Sequence, residues 1–202
     1  MFPALQNLYL TQNHINRISP GAFITLASLQ ILDLSLNVIE MLPKERLQGL
    51  HQLTKLNVSQ NNLRDLEEFS QDLALLKSLD LSHNQLNKID QDTFGYLLSL
   101  KELYLTANRL TTIPMDSFKA LRKLEVLDIM RNHFETIPLK ALKPLETHIK
   151  HLRIAGNYHK FSNLNDYVFG GCSWLTSIFV LKKVHHLSRQ VLGSGLRNSD
   201  SE

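Results

Sequence analysis

Cysteine is almost absent from this sequence, since its 202 residues include only Cys172. One thiol cannot form an intrachain disulfide, so the sequence excludes the small secreted scaffolds that several disulfide bonds hold together. A hydrophobic core must hold the fold instead. The chain is 43% hydrophobic, which is ordinary for one soluble domain and sufficient for such a core.

Long hydrophobic runs are also lacking. The longest apolar run covers residues 174–181, far short of the roughly 20 residues that span a bilayer. The opening residues, MFPALQNLYL, lack a basic segment followed by a long apolar stretch. We therefore expect no signal peptide and no membrane contact within this chain.

No sign of charge dominates. Lysine and arginine number 22 against 19 acidic residues, and the net charge is +3. Lys182-Lys183 is the nearest thing to a basic block. A surplus this small, distributed over the whole chain, predicts that nucleic acid is not the partner.

Motifs for catalysis and metal binding are missing too. There is no glycine-rich phosphate loop, no nucleophile elbow and no paired carboxylate outside the repeats described below. None of the nine histidines has zinc-type spacing: His14 and His133 are far apart, and His185-His186 have only Cys172 near them in sequence. The sequence predicts no enzyme, no metal site and no cofactor.

What the sequence does contain is a repeat of about 24 residues with the pattern LxxLxLxxNxLxxIxxxxFxxL. Its most regular copy is LKELYLTANRLTTIPMDSFKAL, from Leu100 to Leu121. Copies begin at residues 5, 29, 53, 76, 100, 124, 149 and 175, which defines a repeat domain over residues 1–183. The third copy is one residue short and fits poorly over residues 67–75, the sixth is one residue long, and the seventh slips after Asn157. Cys172 falls in a leucine column, so it is predicted to be a buried thiol, and the polar residues 184–202 are predicted to be a disordered tail.

The pattern has a direct physical interpretation. LxxLxL alternates buried leucines with outward side chains, as in a short strand with one buried face. The asparagine follows where the chain turns, and its amide can bond backbone groups that the turn leaves unpaired. Stacked copies then form a parallel sheet on the concave side of an α/β repeat solenoid, with irregular or short helical segments on the convex side. The predicted asparagine ladder contains Asn13, Asn37, Asn61, Asn84, Asn108, Asn132 and Asn157. The predicted phenylalanine spine contains Phe23, Phe94, Phe118 and Phe169.

These tandem copies resemble the leucine-rich repeat family, specifically its 24-residue typical class. LQNLYLTQNHINRISPGAFITL and LKSLDLSHNQLNKIDQDTFGYL carry the same signature. The resemblance implies a horseshoe arc. It also implies an extracellular protein, since the typical class is common in extracellular animal proteins such as Toll-like receptors, chaoptin and artichoke-like proteins. Ectodomains of that kind usually have cysteine-rich caps, which this sequence lacks, so we expect it to be a fragment of a longer protein.

Candidate binding residues occupy positions that the consensus leaves free on the concave strands. A mixed polar and aromatic surface of this kind is typical of protein binding, in which tyrosine and arginine supply most of the energy. For the aspartates the alternative is a scaffold role, since they fall in LDLS or LDIM strings. The predicted ligand-binding residues are Tyr9, Asp33, Asp80, Glu102, Tyr104, Asp128, Arg131 and Arg153. Asn57-Val58-Ser59 is also a sequon for N-glycosylation, on the same face.

The function that follows is a non-catalytic protein-binding module whose concave face contacts another protein. Its setting is expected to be extracellular or at the cell surface, in adhesion, matrix or recognition. One alternative is a cytoplasmic scaffold, which the scarcity of cysteine favours. Another is an accessory repeat segment of a larger receptor or enzyme.

Overall fold

The computed structural model describes residues 2–157 and the strand at residues 177–179. Eight three-residue strands form one parallel sheet, in chain order. The central residue of each strand from the second to the seventh is a buried leucine. The strands are β1 (Asn7–Tyr9), β2 (Ile31–Asp33), β3 (Lys55–Asn57), β4 (Ser78–Asp80), β5 (Glu102–Tyr104), β6 (Val126–Asp128), β7 (His151–Arg153) and β8 (Ser177–Phe179).

The strand register follows the repeat spacing through every irregular copy. Lys55 pairs with Ser78, 23 positions later, and Val126 pairs with His151, 25 positions later. The extra and missing residues are therefore absorbed outside the strands. Each coil consequently presents the same positions of its repeat on the sheet.

Little regular helix accompanies the sheet in residues 2–157. The returning segments of that range contain 3-10 helices at Lys44–Leu47, Gln71–Leu73 and Lys143–Leu145, and one short α-helix, α1, at Leu139–Leu142. Leucines from strands and returning segments meet in one continuous core, in which Leu56, Leu79 and Leu103 have no exposed surface. The predicted leucine-rich repeat arc, with its concave sheet and irregular convex side, is confirmed.

The predicted asparagine ladder is confirmed over the described coils, and each amide after that of Asn13 bridges two of them. Asn108 donates from Nδ2 to the Leu81 carbonyl oxygen of the preceding coil at 3.0 Å, and its Oδ1 accepts from the Leu86 N–H of that coil at 3.0 Å. Asn37, Asn61, Asn84 and Asn132 repeat both bonds. Asn13, in the first coil, is exposed and donates only to its own Leu10 and Thr11 carbonyl oxygens. The ladder therefore joins each coil to the one before it.

The residue before each ladder asparagine has a backbone conformation that the repeat pattern did not predict. In six coils a non-glycine residue there has a left-handed backbone, which non-glycine residues seldom adopt. In the seventh coil the position is Gly156, with φ of 72°. The conformation lets this residue donate its N–H to the next coil, as His83 does to the Thr106 carbonyl oxygen at 2.8 Å. The six residues are Gln12, Leu36, Gln60, His83, Ala107 and Arg131.

The phenylalanine spine corrects the sequence analysis in one coil. Phe69, in the poorly fitting part of the third repeat, stacks on Phe94 with ring centroids 6.3 Å apart, and Phe94 stacks on Phe118 at 6.1 Å. Phe69 stands two positions earlier in its repeat than the consensus phenylalanine, so the pattern search passed over it. Phe169, Cys172 and the predicted tail lie outside the described residues, and the domain limits 1–183 therefore stay a prediction.

Candidate binding face

The parallel register brings the predicted binding residues into rows across the sheet. The last residues of neighbouring strands pair directly, so Asp80, Tyr104 and Asp128 lie side by side, with Arg153 next. Glu102 belongs to the row formed by the first residues of the strands. Arg131 is the exception, because it occupies the left-handed turn position after β6 rather than the sheet.

The aspartates at the strand ends hold the turns. Asp33 accepts hydrogen bonds at Oδ1 from the Ser35 N–H at 2.9 Å and the Ser35 hydroxyl at 2.6 Å. Asp80 makes the same two bonds with Ser82, at 2.9 and 2.6 Å. Such a local side-chain bond to the backbone two residues on is the usual role of Asp in a turn. The scaffold alternative therefore describes the carboxylates of Asp33 and Asp80.

Asp128 combines the scaffold role with a link to its neighbours. It is buried, 6% exposed, and accepts from the Met130 N–H at 3.1 Å and from the Thr106 hydroxyl of the preceding coil. Its other oxygen lies 3.5 Å from the Arg153 guanidinium, whose side chain is about half exposed. The carboxylate is therefore covered, and its outer oxygen pairs with the more exposed Arg153.

Tyr104 and Glu102 form a second polar pair beside this one. The Tyr104 hydroxyl lies 3.4 Å from Glu102 Oε2, which also accepts from the Ser78 hydroxyl at 3.0 Å. Partial burial raises the pKa of Tyr104, and the negative charge of Glu102 raises it further, whereas Arg153 opposes the shift. Tyr104 is thus a neutral hydrogen-bonding side chain between an acid on β5 and a base on β7. Ser78 was not among the predicted site residues.

Four of the predicted site residues therefore lie together in one polar cluster, and the others lie apart from it. We call Glu102, Tyr104, Asp128 and Arg153 the β5–β7 cluster. Arg131 is exposed at the adjoining turn, and Gly156 of the next coil approaches it closely, since a Cβ on that glycine would lie 3.2 Å from Arg131 Cγ. Tyr9 is 61% exposed on β1, and β2 to β4 separate it from the cluster.

Asn57 takes the aspartate position on β3. Its Oδ1 accepts from the Ser59 N–H at 3.0 Å, and its Nδ2 donates to Asp33 Oδ2 at 3.3 Å. The residue is only half buried, so the sequon side chain faces outward from the concave sheet. A glycan on Nδ2 would stand between Tyr9 and the β5–β7 cluster.

Two searches of the described residues complete this description. No helix there is long and apolar enough to cross a membrane. No three histidine, cysteine or acidic side chains in that part of the chain meet in a way that could hold a metal ion.

Comparison with known proteins finds relatives that match parts of this chain. The chain is 39% identical over 92 residues to mouse podocan-like protein 1 and 34% identical over 97 residues to rat leucine-rich repeat-containing G-protein coupled receptor 5. These matches cover 44% and 48% of this chain but only 16% and 10% of the relatives. The chain thus spans a small part of either protein.

Solved structures share the fold. The crystal structure of a TLR13–ssRNA13 complex matches with a TM-score of 0.76 and 26% identity, covering 86% of this chain and 24% of that one. A leucine-rich repeat protein of Leptospira interrogans matches with a TM-score of 0.69 and 24% identity, over 86% of this chain and 42% of that one. The leucine rich repeat family model matches residues 3–63, 74–134 and 99–158. With its strands, asparagine ladder and relatives in agreement, the chain belongs to the leucine-rich repeat family.

Proposed function

We propose that this chain is a non-catalytic protein-binding module that contacts its partner through the β5–β7 cluster on the concave sheet. We place it outside the cell or at its surface, as part of a longer protein engaged in recognition or adhesion. Tyr104 and Arg153 are the side chains expected to reach the partner, with Glu102 and Asp128 holding them.

One observation carries the proposal. At the strand-end position, Asp33, Asn57, Asp80 and Asp128 each accept the backbone N–H two residues on. The side chains of Tyr104 and Arg153 have no carboxylate or amide oxygen that could accept this N–H. The chain nevertheless turns at both positions without that hydrogen bond. Because the fold does not require a tyrosine or an arginine at these positions, their presence favours a role in binding, where both residue types are enriched.

The relatives support the proposed location outside the cell or at its surface, but they do not identify the partner of this chain. One of them is named as a receptor, and a solved neighbour is a complex with single-stranded RNA. The cluster holds one aromatic residue and two carboxylates. A run of bases needs several aromatic platforms in a positive groove, so a protein partner fits this face better than RNA.

The test compares a pair of variants on the full chain. Dimerised chain is screened by surface plasmon resonance against a panel of purified extracellular proteins and against a 13-nucleotide single-stranded RNA. Tyr104→Ala together with Arg153→Ala should weaken a protein ligand by about tenfold or more, since anchor residues each contribute at least about 1–2 kcal/mol.

A matched control keeps the residue types and moves them off the concave strands. Tyr96 and Arg109 are exposed outside the sheet, so Tyr96→Ala with Arg109→Ala should leave affinity within about twofold. Equal weakening by the two pairs contradicts the proposed face, provided both variants keep the circular dichroism of the parent. Binding of the RNA with no protein ligand would replace a protein partner with nucleic acid.

A further inference from the structure

A row of lysines lies at the edge where the strands start. The residues immediately before β4, β5, β6 and β7 are Lys77, Lys101, Glu125 and Lys150. Their backbones are in direct contact, because each N–H donates to the carbonyl oxygen of the preceding member at 2.8 Å. All three lysines are exposed.

A basic groove adjoins this row. Lys119, Arg122 and Lys123 line a groove of about 630 Å³ on the returning segments. Lys123 stands two residues before Glu125 in the chain, so the groove ends next to the row. We call Lys77, Lys101, Lys119, Arg122, Lys123 and Lys150 the basic edge.

Carboxylates offset only part of this charge. Glu125 Oε2 lies 2.8 Å from Lys150 Nζ and its Oε1 lies 3.7 Å from Lys101 Nζ. The hydrogen bond from Lys150 lowers the pKa of Glu125, and the positive charges of Lys150 and Lys101 add to that effect. Asp92 and Asp116 also line the groove. Glu68 Oε1 is also close, 3.8 Å from the position of a Cβ on the groove residue Gly95. Six cations thus lie near four carboxylates, and a positive surplus remains.

The fold does not require these cations. The same position before β1, β2 and β3 holds Gln6, Gln30 and Thr54. Their backbones make the same contacts, as in the bond from the Thr54 N–H to the Gln30 carbonyl oxygen at 2.8 Å. The cations therefore begin at the fourth coil for a reason other than the stacking of coils.

We propose that the basic edge binds a sulfated polysaccharide. Lys77 and Lys101 lie on neighbouring coils, about 4.8 Å apart at the strand spacing, and Lys150 lies one coil beyond Glu125. A linear polyanion can therefore run along this edge and contact a lysine on three of its four coils. Ammonium groups on flexible stems suit sulfate as point charges, and Arg122 can form a two-pronged contact. The residues that line the groove include no aromatic ring on which a base could stack, as single-stranded nucleic acid requires. This surface is separate from the β5–β7 cluster, so either proposal can fail without the other.

The experiment measures binding of a heparin decasaccharide to the full chain by isothermal titration calorimetry at several salt concentrations. A variant with Lys101→Gln, Arg122→Gln and Lys123→Gln should bind at least about tenfold more weakly. The slope of log Kd against log salt should also fall by about two to three, because binding releases roughly one counterion for each cation in contact and the variant lacks three of them.

The control removes the same charge elsewhere. Arg64→Gln, Lys88→Gln and Arg109→Gln alter three cations on the segments that follow the strands, and affinity should stay within about twofold. Equal weakening by both triple variants would show attraction by overall charge and overturn the proposal. It is also overturned if the parent chain does not bind the decasaccharide at about 0.1 M salt, or if phosphatidylserine vesicles or single-stranded RNA bind the basic edge more tightly.

Discussion

At the scale of single residues, the asparagines do most to define the structure. Each of the five ladder asparagines from Asn37 to Asn132 is buried, yet its amide has partners on both sides. Burying a polar group costs little free energy when its hydrogen bonds are satisfied. Removing that group costs more, because its buried partners are then left without hydrogen bonds. The effect of a substitution should therefore depend on whether a coil precedes the asparagine.

Asn108→Ala should lower the free energy of unfolding by about 2–4 kcal/mol, because it leaves the buried Leu86 N–H without its acceptor and opens a small cavity. Asn13→Ala is the control. That asparagine is exposed and bonds only its own coil, so the loss should stay below about 1 kcal/mol. Urea unfolding of both variants measures the difference, and equal losses would contradict the bridging role.

Tyr104 supplies a prediction about pH. Burial first, and then the charge of Glu102, raise the pKa of Tyr104 above its ordinary 10.0. Since the folded pKa is the higher one, the stability linked to this group is complete below pH 10 and is lost as the pH rises from 10 through the folded pKa. The difference in phenolate absorbance between the parent and Tyr104→Phe should show ionisation above pH 10. Glu102→Gln should lower that midpoint but keep it above 10, because burial is the larger cause. A midpoint below 10 in the parent would contradict this account.

At the scale of elements, the coils are joined by packing on the convex side as well as by the sheet. Phe69, Phe94 and Phe118 stack across three consecutive coils. Offset ring pairs at such distances add to the free energy gained by burying the rings. The short third repeat keeps its place in this stack because Phe69 takes the place of the consensus phenylalanine.

Phe94→Ala should destabilise the chain by about 3–5 kcal/mol, since the ring has no exposed surface and contacts a ring on each side. Tyr96→Ala, two residues on and 45% exposed, should change stability by no more than about 0.5 kcal/mol. Guanidinium unfolding compares the two. A loss below about 1 kcal/mol for Phe94→Ala would mean that the spine adds little to the stacking of coils.

Gly49 lies where the returning segments of the first two coils approach each other closely. It has φ of 88°, and a Cβ there would lie 2.9 Å from Ile24 Cα. Gly49→Ala should cost more than about 2 kcal/mol, from backbone strain and a clash with main chain. Gly21→Ala isolates the first cause, because φ is 70° but the nearest atom is 4.0 Å from the Cβ; its cost should be about 1–2 kcal/mol. Differential scanning calorimetry measures both, and a smaller loss at Gly49 than at Gly21 would contradict the clash.

The sequence predicted the parts of these elements that every coil repeats. The leucine and asparagine positions recur because every coil needs them, so the sheet, its register and the ladder could be predicted. Phe69 was missed because the shortened repeat moved it from its consensus position. The left-handed residues before the asparagines were missed because their identities differ, from Leu36 to Arg131, while only the backbone conformation recurs. The rows that the strand residues form could be predicted from the repeat spacing. The bonds of Asp128 to Thr106 and Arg153 could not, because they depend on side-chain geometry that spacing does not contain. Whether these residues bind a partner stays a prediction.

At the scale of the whole molecule, the solenoid gathers residues that are far apart in sequence. Lys77, Lys101 and Lys150 form no basic block in the sequence, yet the parallel sheet places all three at the edge where its strands start. A repeat of about 24 residues brings side chains at the same position of successive copies into one row. The row of Tyr104, Asp128 and Arg153 forms in the same way.

The position of Asn57 on β3 of the sheet leads to a prediction for the secreted chain. Expressed in a eukaryotic secretory cell line, the chain should gain one glycan at Asn57, seen as a mobility shift that endoglycosidase reverses. Ser59→Ala should abolish the shift and Ser59→Thr should keep it. A protein ligand of the β5–β7 cluster should bind both forms within about threefold, because Asp80 on β4 separates Asn57 from Tyr104. An unshifted parent chain would show that the sequon is not used.

The asparagine ladder also has a direction, which makes the two ends of the stack unequal when coils are removed. Each asparagine satisfies the turn of the coil before it, as Asn132 does for Leu110. Deleting a coil from the amino-terminal side leaves the next asparagine with bonds in its own coil, as Asn13 has now. Deleting one from the other side takes the acceptor away from a buried N–H of the coil that remains. Shortened versions of this chain should therefore tolerate trimming at the first coil better than at the last, and designs that lengthen the stack should add each new coil together with the asparagine that follows it.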